Sequence, residues 1–210
     1  MKLTNKFWDN NLVKIGVLIL FWLVWFAIYQ PLNTRGAQVG VHWISPNIYI
    51  SSMVYPYVFG MAILAWIPWF WNWKTECFYK LLLLYTYTSI LMFFIYYFYP
   101  VYMLRRTYEG PLLADALMRW IVGMDDPANC YPSNHCAVST LGFIGIVISS
   151  APKWVKWLTG TLAGIVCLST VLVGQHYWID IPTGIILSVL TYFIVYKIIL
   201  KKIKKSDLKN

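Results

Sequence analysis

The stretch LVKIGVLILFWLVWFAIY, residues 12–29, decides what kind of protein this is. It carries a single charge, Lys14, and as a helix it would rise about 27 Å, close to the roughly 30 Å of hydrocarbon in a bilayer. It is too long and too rich in tryptophan for a cleaved leader, and no small-residue cleavage site follows, so it reads as a membrane anchor. Working outward, five more runs have the same character: Met53–Trp71, Phe78–Tyr99, Cys136–Ser150, Leu158–Gly174 and Ile181–Leu200. The fourth and fifth of the six are short. Over the whole chain, 60% of residues are hydrophobic, 19% aromatic and only 12% charged, a composition foreign to soluble domains. The expectation is an all-α protein, a six-transmembrane-helix bundle forming a single membrane domain over residues 1–210.

Charge orients the bundle. With an even number of spans both termini share a side, and that side receives all thirteen lysines. The other side receives the four arginines, Arg35, Arg105, Arg106 and Arg119, with Glu109, Asp115, Asp125, Asp126 and Asp180. Basic residues concentrate on the cytoplasmic side of membrane proteins, so the lysine side is cytoplasmic and the arginine side external. The net charge of +9 is therefore a topology signal suited to an anionic inner leaflet, and no nucleic-acid partner is implied. The KKIKK stretch at 201–205 anchors the last span.

The loops differ between the two sides. Internal loops are short. The first external loop, 30–52, mixes Val41, Trp43, Ile44 and Ile48 with polar residues and reads as a segment lying in the interface. His42 there reads as a member of the aromatic belt. In the second external loop, Leu112, Leu113, Ala116, Leu117, Trp120 and Ile121 follow helical spacing, which predicts a short amphipathic helix over 112–123 on the membrane surface. The third external connection, 175–180, is short enough to hold spans five and six together. The four cysteines lack metal-site spacing; Cys130 and Cys136 lie on one side and could pair, but Cys136 begins a helical run and ordinary packing is the favoured reading. No metal or cofactor is expected.

The polar residues gather at the external ends of spans three to six. PSNH, residues 132–135, is a turn leading into a helix whose first N–H groups are unpaired and attract an anion. QHYWID, residues 175–180, sets His176 four residues before Asp180. On a helix the two share a face, and a carboxylate beside an imidazole fixes its tautomer and stabilises its charged form. Pro182 makes that sharing conditional, because it offers no N–H to the carbonyl of Trp178. Two histidines, a carboxylate and arginines, without metal spacing, point to phosphoryl transfer.

PSNH and STVLVGQHYWID, residues 132–135 and 169–180, resemble the second and third signature motifs of the type 2 phosphatidic acid phosphatase superfamily of integral-membrane lipid phosphatases and phosphotransferases. The resemblance covers spans three to six. It implies His176 as the nucleophile that forms a phosphohistidine, Asp180 as its orienting carboxylate and His135 as the general acid. It implies phosphate contacts from Ser133 and the backbone at Asn134 and His135. The family's first motif, a lysine followed after six residues by Arg-Pro, is reduced in PVYMLRRTYEGP to Arg105, or else Arg106. The arginine of the third motif is Thr170 here, a Ser-Thr variant that resembles the inositol phosphorylceramide synthase-like branch. The implied activity is hydrolysis of a lipid phosphomonoester or diphosphate, such as polyprenyl diphosphate or phosphatidate, at the outer face of the cell membrane. The alternatives are headgroup transfer to an alcohol and a silent lipid-phosphate-binding protein. Arg119 reads as a solvated residue.

Overall fold

The computed structural model describes residues 6–44, 48–126 and 128–199. Lys2, Leu200 and the basic stretch at 201–205 lie outside them, as does the His42 side chain. Helices α1 (Lys6–Asp9), α2 (Asn11–Val39), α3 (Met61–Trp71), α4 (Thr75–Phe98), α5 (Leu113–Met124), α6 (Asn134–Val147), α7 (Lys153–Leu172) and α8 (Asp180–Tyr192) make up the body. A 3₁₀ turn and a π-helical stretch lead into α3, and π-helical residues Phe193–Ile199 continue α8. Four helical stretches are long and apolar enough to cross a membrane: Asn11–Val39, Ser51–Trp71, Glu76–Phe98 and Lys153–Leu172. Two shorter apolar helices, Asn134–Val147 and Asp180–Tyr196, stand where the other two runs were read.

The outward faces are apolar. Leu12, Phe70 and Trp157 are more than three-quarters exposed, a surface that would drive aggregation in water but meets lipid tails without penalty. This is a membrane protein. The shortest of the six apolar helices, α6, is the most enclosed, with nine of its fourteen residues buried. It packs against α3, α4, α7 and α8. Small residues on its faces, among them Ala137, Ser139, Gly142 and Gly145, let neighbouring backbones come close. At 1.5 Å per residue α6 rises only about 21 Å, so its two ends cannot both reach the headgroups of a bilayer about 30 Å thick.

Lysine and arginine sort to opposite ends of α4. Lys14 Nζ donates to the carbonyl of Trp73, just before α4 begins, and Lys80 pairs with Glu76 in its first turns. At the far end Arg35 donates to the carbonyl of Tyr97 at 2.8 Å and lies over its ring.

The fold is helical as expected, with two features beyond the expected layout. Helix α2 continues ten residues past Tyr29, through Pro31, to Val39. The apolar run stops at Tyr29, but a helix needs no apolar face where long-range bonds hold it, and Asn33 and Arg35 both make such bonds. Beyond it, β1 (Val41–Ile44) pairs in parallel with β2 (Val101–Leu104), Val41 opposite Val101 and Ile44 opposite Leu104. Strands of four residues are too short to show alternation, and a partner sixty residues away leaves no local sign. The amphipathic segment is helical as read, shifted by one residue: α5 packs Ala114 and Met118 against Val54, Tyr57, Tyr108 and Val173, and leaves Leu113 and Trp120 exposed.

Candidate active site

The turn after α7 delivers His176. Gly174 has φ +74°, donates to the carbonyl of Val171, and is followed by Gln175 donating to the carbonyl of Thr170. That pair of bonds is a Schellman close, and the left-handed residue it requires is glycine because a Cβ would be strained there. The chain then turns so that His176, only 5% exposed, meets Asp180 at the start of α8. His176 Nδ1 lies 3.0 Å from Asp180 Oδ2 and 3.0 Å from the carbonyl oxygen of Cys130. Both neighbours are acceptors, which assigns the proton to Nδ1 and leaves the lone pair on Nε2. Asp180, fully buried, is itself fixed by accepting the Tyr177 N–H at 2.8 Å through the same Oδ2. The two residues are thus joined by a turn and a helix start. They do not share a face of one regular helix.

Helix α6 delivers His135. Ser133 is its N-cap, with Oγ accepting from the Cys136 N–H at 3.3 Å and its carbonyl accepting from Ala137. The Ser133 N–H reaches the carbonyl of Asp180, so the starts of α6 and α8 are tied together. Gly184 permits this approach: a Cβ there would sit 2.6 Å from the Ser133 carbonyl oxygen. The result is His135 Nδ1 at 3.2 Å from His176 Nε2, the rings nearly perpendicular and Tyr57 against the other side of His135. Since Nε2 accepts, His135 Nδ1 donates.

Strand β2 delivers the cation. Arg105, the next residue after it, sends Nη1 to the Asp125 carbonyl at 2.6 Å and Nη2 to Asp125 Oδ2 at 3.1 Å. Its Nε is buried without a partner. Asp125 Oδ1 in turn accepts from Asn33 at 2.6 Å and from the Tyr29 hydroxyl at 3.3 Å, both on α2. Burial works most strongly against the Arg105 cation, but the Asp125 carboxylate together with Tyr57 and Cys130 outweighs it and raises the guanidinium pKa above its ordinary value. The thiol of Cys130 is pushed up to about 12 by burial, so this residue stays neutral and offers His176 only its carbonyl.

Arg105, Asp125, Asn129, Asn134, His135 and His176 line one cavity of about 30 Å³. Five of the seven residues singled out in the sequence are thereby drawn together or into direct contact: His176, Asp180, His135, Asn134 and Arg105. Ser133 lies just behind, engaged as the cap. Arg106 stands apart, over the Tyr49 ring at 4.7 Å with Nε near the Thr107 carbonyl. Arg119 braces the loop through the carbonyls of Tyr108 and Gly110. Thr170 is buried with its hydroxyl on the Cys167 carbonyl, so no second cation stands at that motif position. Asp125, Asn129 and Gln175 were not anticipated. Only Gln175, beside His176, carried a positional hint. Among the described residues no three His, Cys, Asp or Glu side chains converge as metal ligands would.

The PAP2 superfamily pattern matches residues 113–204, which takes in α5 to α8 with both histidines and leaves out β2 and Arg105. The match supports that superfamily, and with it the coarse assignment as a membrane phosphatase or phosphotransferase of lipid-phosphate type. No curated protein and no solved structure matches the chain significantly.

Proposed function

We propose that the protein is a multi-pass lipid phosphatase of the cell membrane, a single domain of six spans with both termini cytoplasmic and the site facing outside. It hydrolyses a lipid phosphomonoester or diphosphate, such as phosphatidate or a polyprenyl diphosphate, through a phosphohistidine and without a metal. One observation carries the reading: His176 holds its Nδ1 proton against Asp180 and directs the Nε2 lone pair at the His135 donor 3.2 Å away.

A phosphoryl group entering between the two rings meets the nucleophile on one side and the acid on the other. His176 Nε2 attacks phosphorus as the P–O bond to the lipid breaks, and the His135 Nδ1 proton passes to the leaving oxygen. The imidazolium so formed is stabilised by Asp180. Arg105 Nε and the first N–H groups of α6, at Asn134 and His135, supply donors for the phosphoryl oxygens. The cavity is small and lined by polar side chains, so the lipid chain stays in the bilayer. The shortness of α6 supports placing its start at headgroup depth, and the sorting of lysine and arginine to opposite ends of α4 supports an external site.

Headgroup transfer to an alcohol, in the manner of the inositol phosphorylceramide synthase-like branch, is the second reading, favoured by Thr170 in place of the third-motif arginine. The test is phosphate release from a panel of lipid phosphates by purified protein in detergent with excess chelator. Wild type releases phosphate and His176→Ala does not. Release by both would sink the nucleophile assignment, and release by neither would leave headgroup transfer or a silent lipid-phosphate binder, which product analysis with an alcohol acceptor separates.

A further inference from the structure

The cavity contains two amides whose oxygens are poorly matched to a phosphate. Asn129 is only 4% exposed, and neither its Oδ1 nor its Nδ2 has a hydrogen-bond partner. It is held at φ +54°, a left-handed conformation that asparagine tolerates better than most residues. Gln175 is 2% exposed, and its orientation is fixed by a relay. The Tyr108 hydroxyl donates to the Val173 carbonyl at 2.6 Å, so it must accept from Gln175 Nε2 at 2.8 Å. The Gln175 oxygen is therefore the end left over, buried and without a partner. Both residues line the same cavity as His135 and His176.

A buried amide oxygen without a partner costs about as much as a lost hydrogen bond, and buried polar groups are nearly always satisfied. A phosphate dianion cannot satisfy these two, because it too presents only acceptors. They call for an O–H donor. A cavity of about 30 Å³ holds about two water-sized groups, so a hydroxyl can reach these amides.

We infer that Asn129 and Gln175 form a hydroxyl-binding subsite, which holds the O–H nucleophile that resolves the phosphohistidine. The inference rests on the phosphohistidine reading above and adds the second half-reaction. The amide oxygens accept from the second O–H of a water, or from a neighbouring hydroxyl of a polyol, and so orient the attacking oxygen toward phosphorus with its reacting proton left for His135. As the O–P bond forms, the P–N bond breaks and its electron pair returns to His176 Nε2. The hydroxyl proton passes to His135 Nδ1, neutral since it protonated the first leaving group. Water yields inorganic phosphate; an alcohol yields a new phosphoester. The chemistry recognised, a hydroxyl, is common to both.

The test separates formation from decay of the phosphoenzyme. Purified protein in detergent is mixed with phosphatidate or farnesyl diphosphate, with and without glycerol, and the burst of leaving group (diacylglycerol or farnesyl phosphate), alkali-stable phosphoenzyme, inorganic phosphate and glycerol phosphate are followed. Asn129→Gly keeps the left-handed backbone and Gln175→Met keeps the bulk. Each is expected to leave the burst unchanged, slow decay about tenfold, as losing one hydrogen bond to the attacking group would, and alter the ratio of glycerol phosphate to inorganic phosphate. Asn129→Asp retains an acceptor oxygen and decays at the wild-type rate once phosphorylated. Glycerol phosphate in wild type identifies an alcohol as the occupant; inorganic phosphate alone identifies water. Variants whose decay and product ratio match wild type overturn the subsite while leaving the phosphohistidine intact. A purely structural role would slow formation and decay together, lower the thermal midpoint and leave the ratio untouched, and that too overturns it. A wild type that forms no phosphoenzyme overturns the phosphohistidine reading, and the subsite with it.

Discussion

The two walls of the cavity are built in different ways. The histidine wall comes from two adjacent helix starts: His135 on α6 and the His176–Asp180 turn leading into α8, tied by the Ser133–Asp180 backbone bond. The arginine wall is gathered from afar, with Arg105 at the end of β2, Asp125 after α5, and Tyr29 and Asn33 on the extension of α2. The first wall falls inside the PAP2 match, whereas Arg105 and α2 fall outside it. The lesson is that the histidines proposed to make and break bonds sit on short segments fixed by local bonds, whereas the arginine proposed to receive the phosphate is held by a network of distant partners.

That contrast can be broken at several points. The largest effect is expected for Asp180→Asn, which removes the acceptor that sets the His176 tautomer; kcat/KM should fall roughly 10³-fold or more with the fold intact. A loss under tenfold would mean that the Cys130 carbonyl alone fixes the ring. Arg105→Ala should cost about 10²-fold in kcat/KM by removing the cation at the phosphate. Asp125→Asn should cost about tenfold, and the double variant should be no worse than Arg105→Ala alone, because Asp125 acts through the arginine. Additive losses would show instead that Asp125 has its own contact with substrate.

The pH dependence of kcat/KM should be bell-shaped, since attack needs one neutral imidazole and departure of the lipid needs one that carries a transferable proton. A profile that only rises or only falls across the neutral range would break the pairing of the two rings. The smallest effect should be structural: Gly184→Ala forces a methyl against the Ser133 carbonyl and should destabilise the protein by about 1–3 kcal/mol, read from the thermal midpoint in detergent. Because it separates α6 from α8, activity should fall more than the change in midpoint accounts for.

The histidine wall was legible in the sequence because each of its parts is local. PSNH announces a helix start, GQHYWID announces a helix end followed by a carboxylate, and both patterns survive in a single chain. The arginine wall was legible only as a list of external arginines. Only the resemblance to the first motif favours Arg105, which reaches the cavity, over Arg106, which turns to Tyr49 and Tyr108. That choice is made by the register of β2 on β1 and by Asp125 twenty residues away. Apolar length located the helices but missed the continuation of α2, whose last ten residues are held by polar bonds to distant loops.

The measurement that bears most directly on this account is the identity of the phosphorylated residue. Protein quenched in alkali during turnover and digested for mass spectrometry should carry one phosphoryl group on His176, absent from His176→Ala and accumulated when decay is slowed. A phosphoryl group on His135, or turnover with none on either histidine, would contradict the assignment of nucleophile and acid on which the whole site is read.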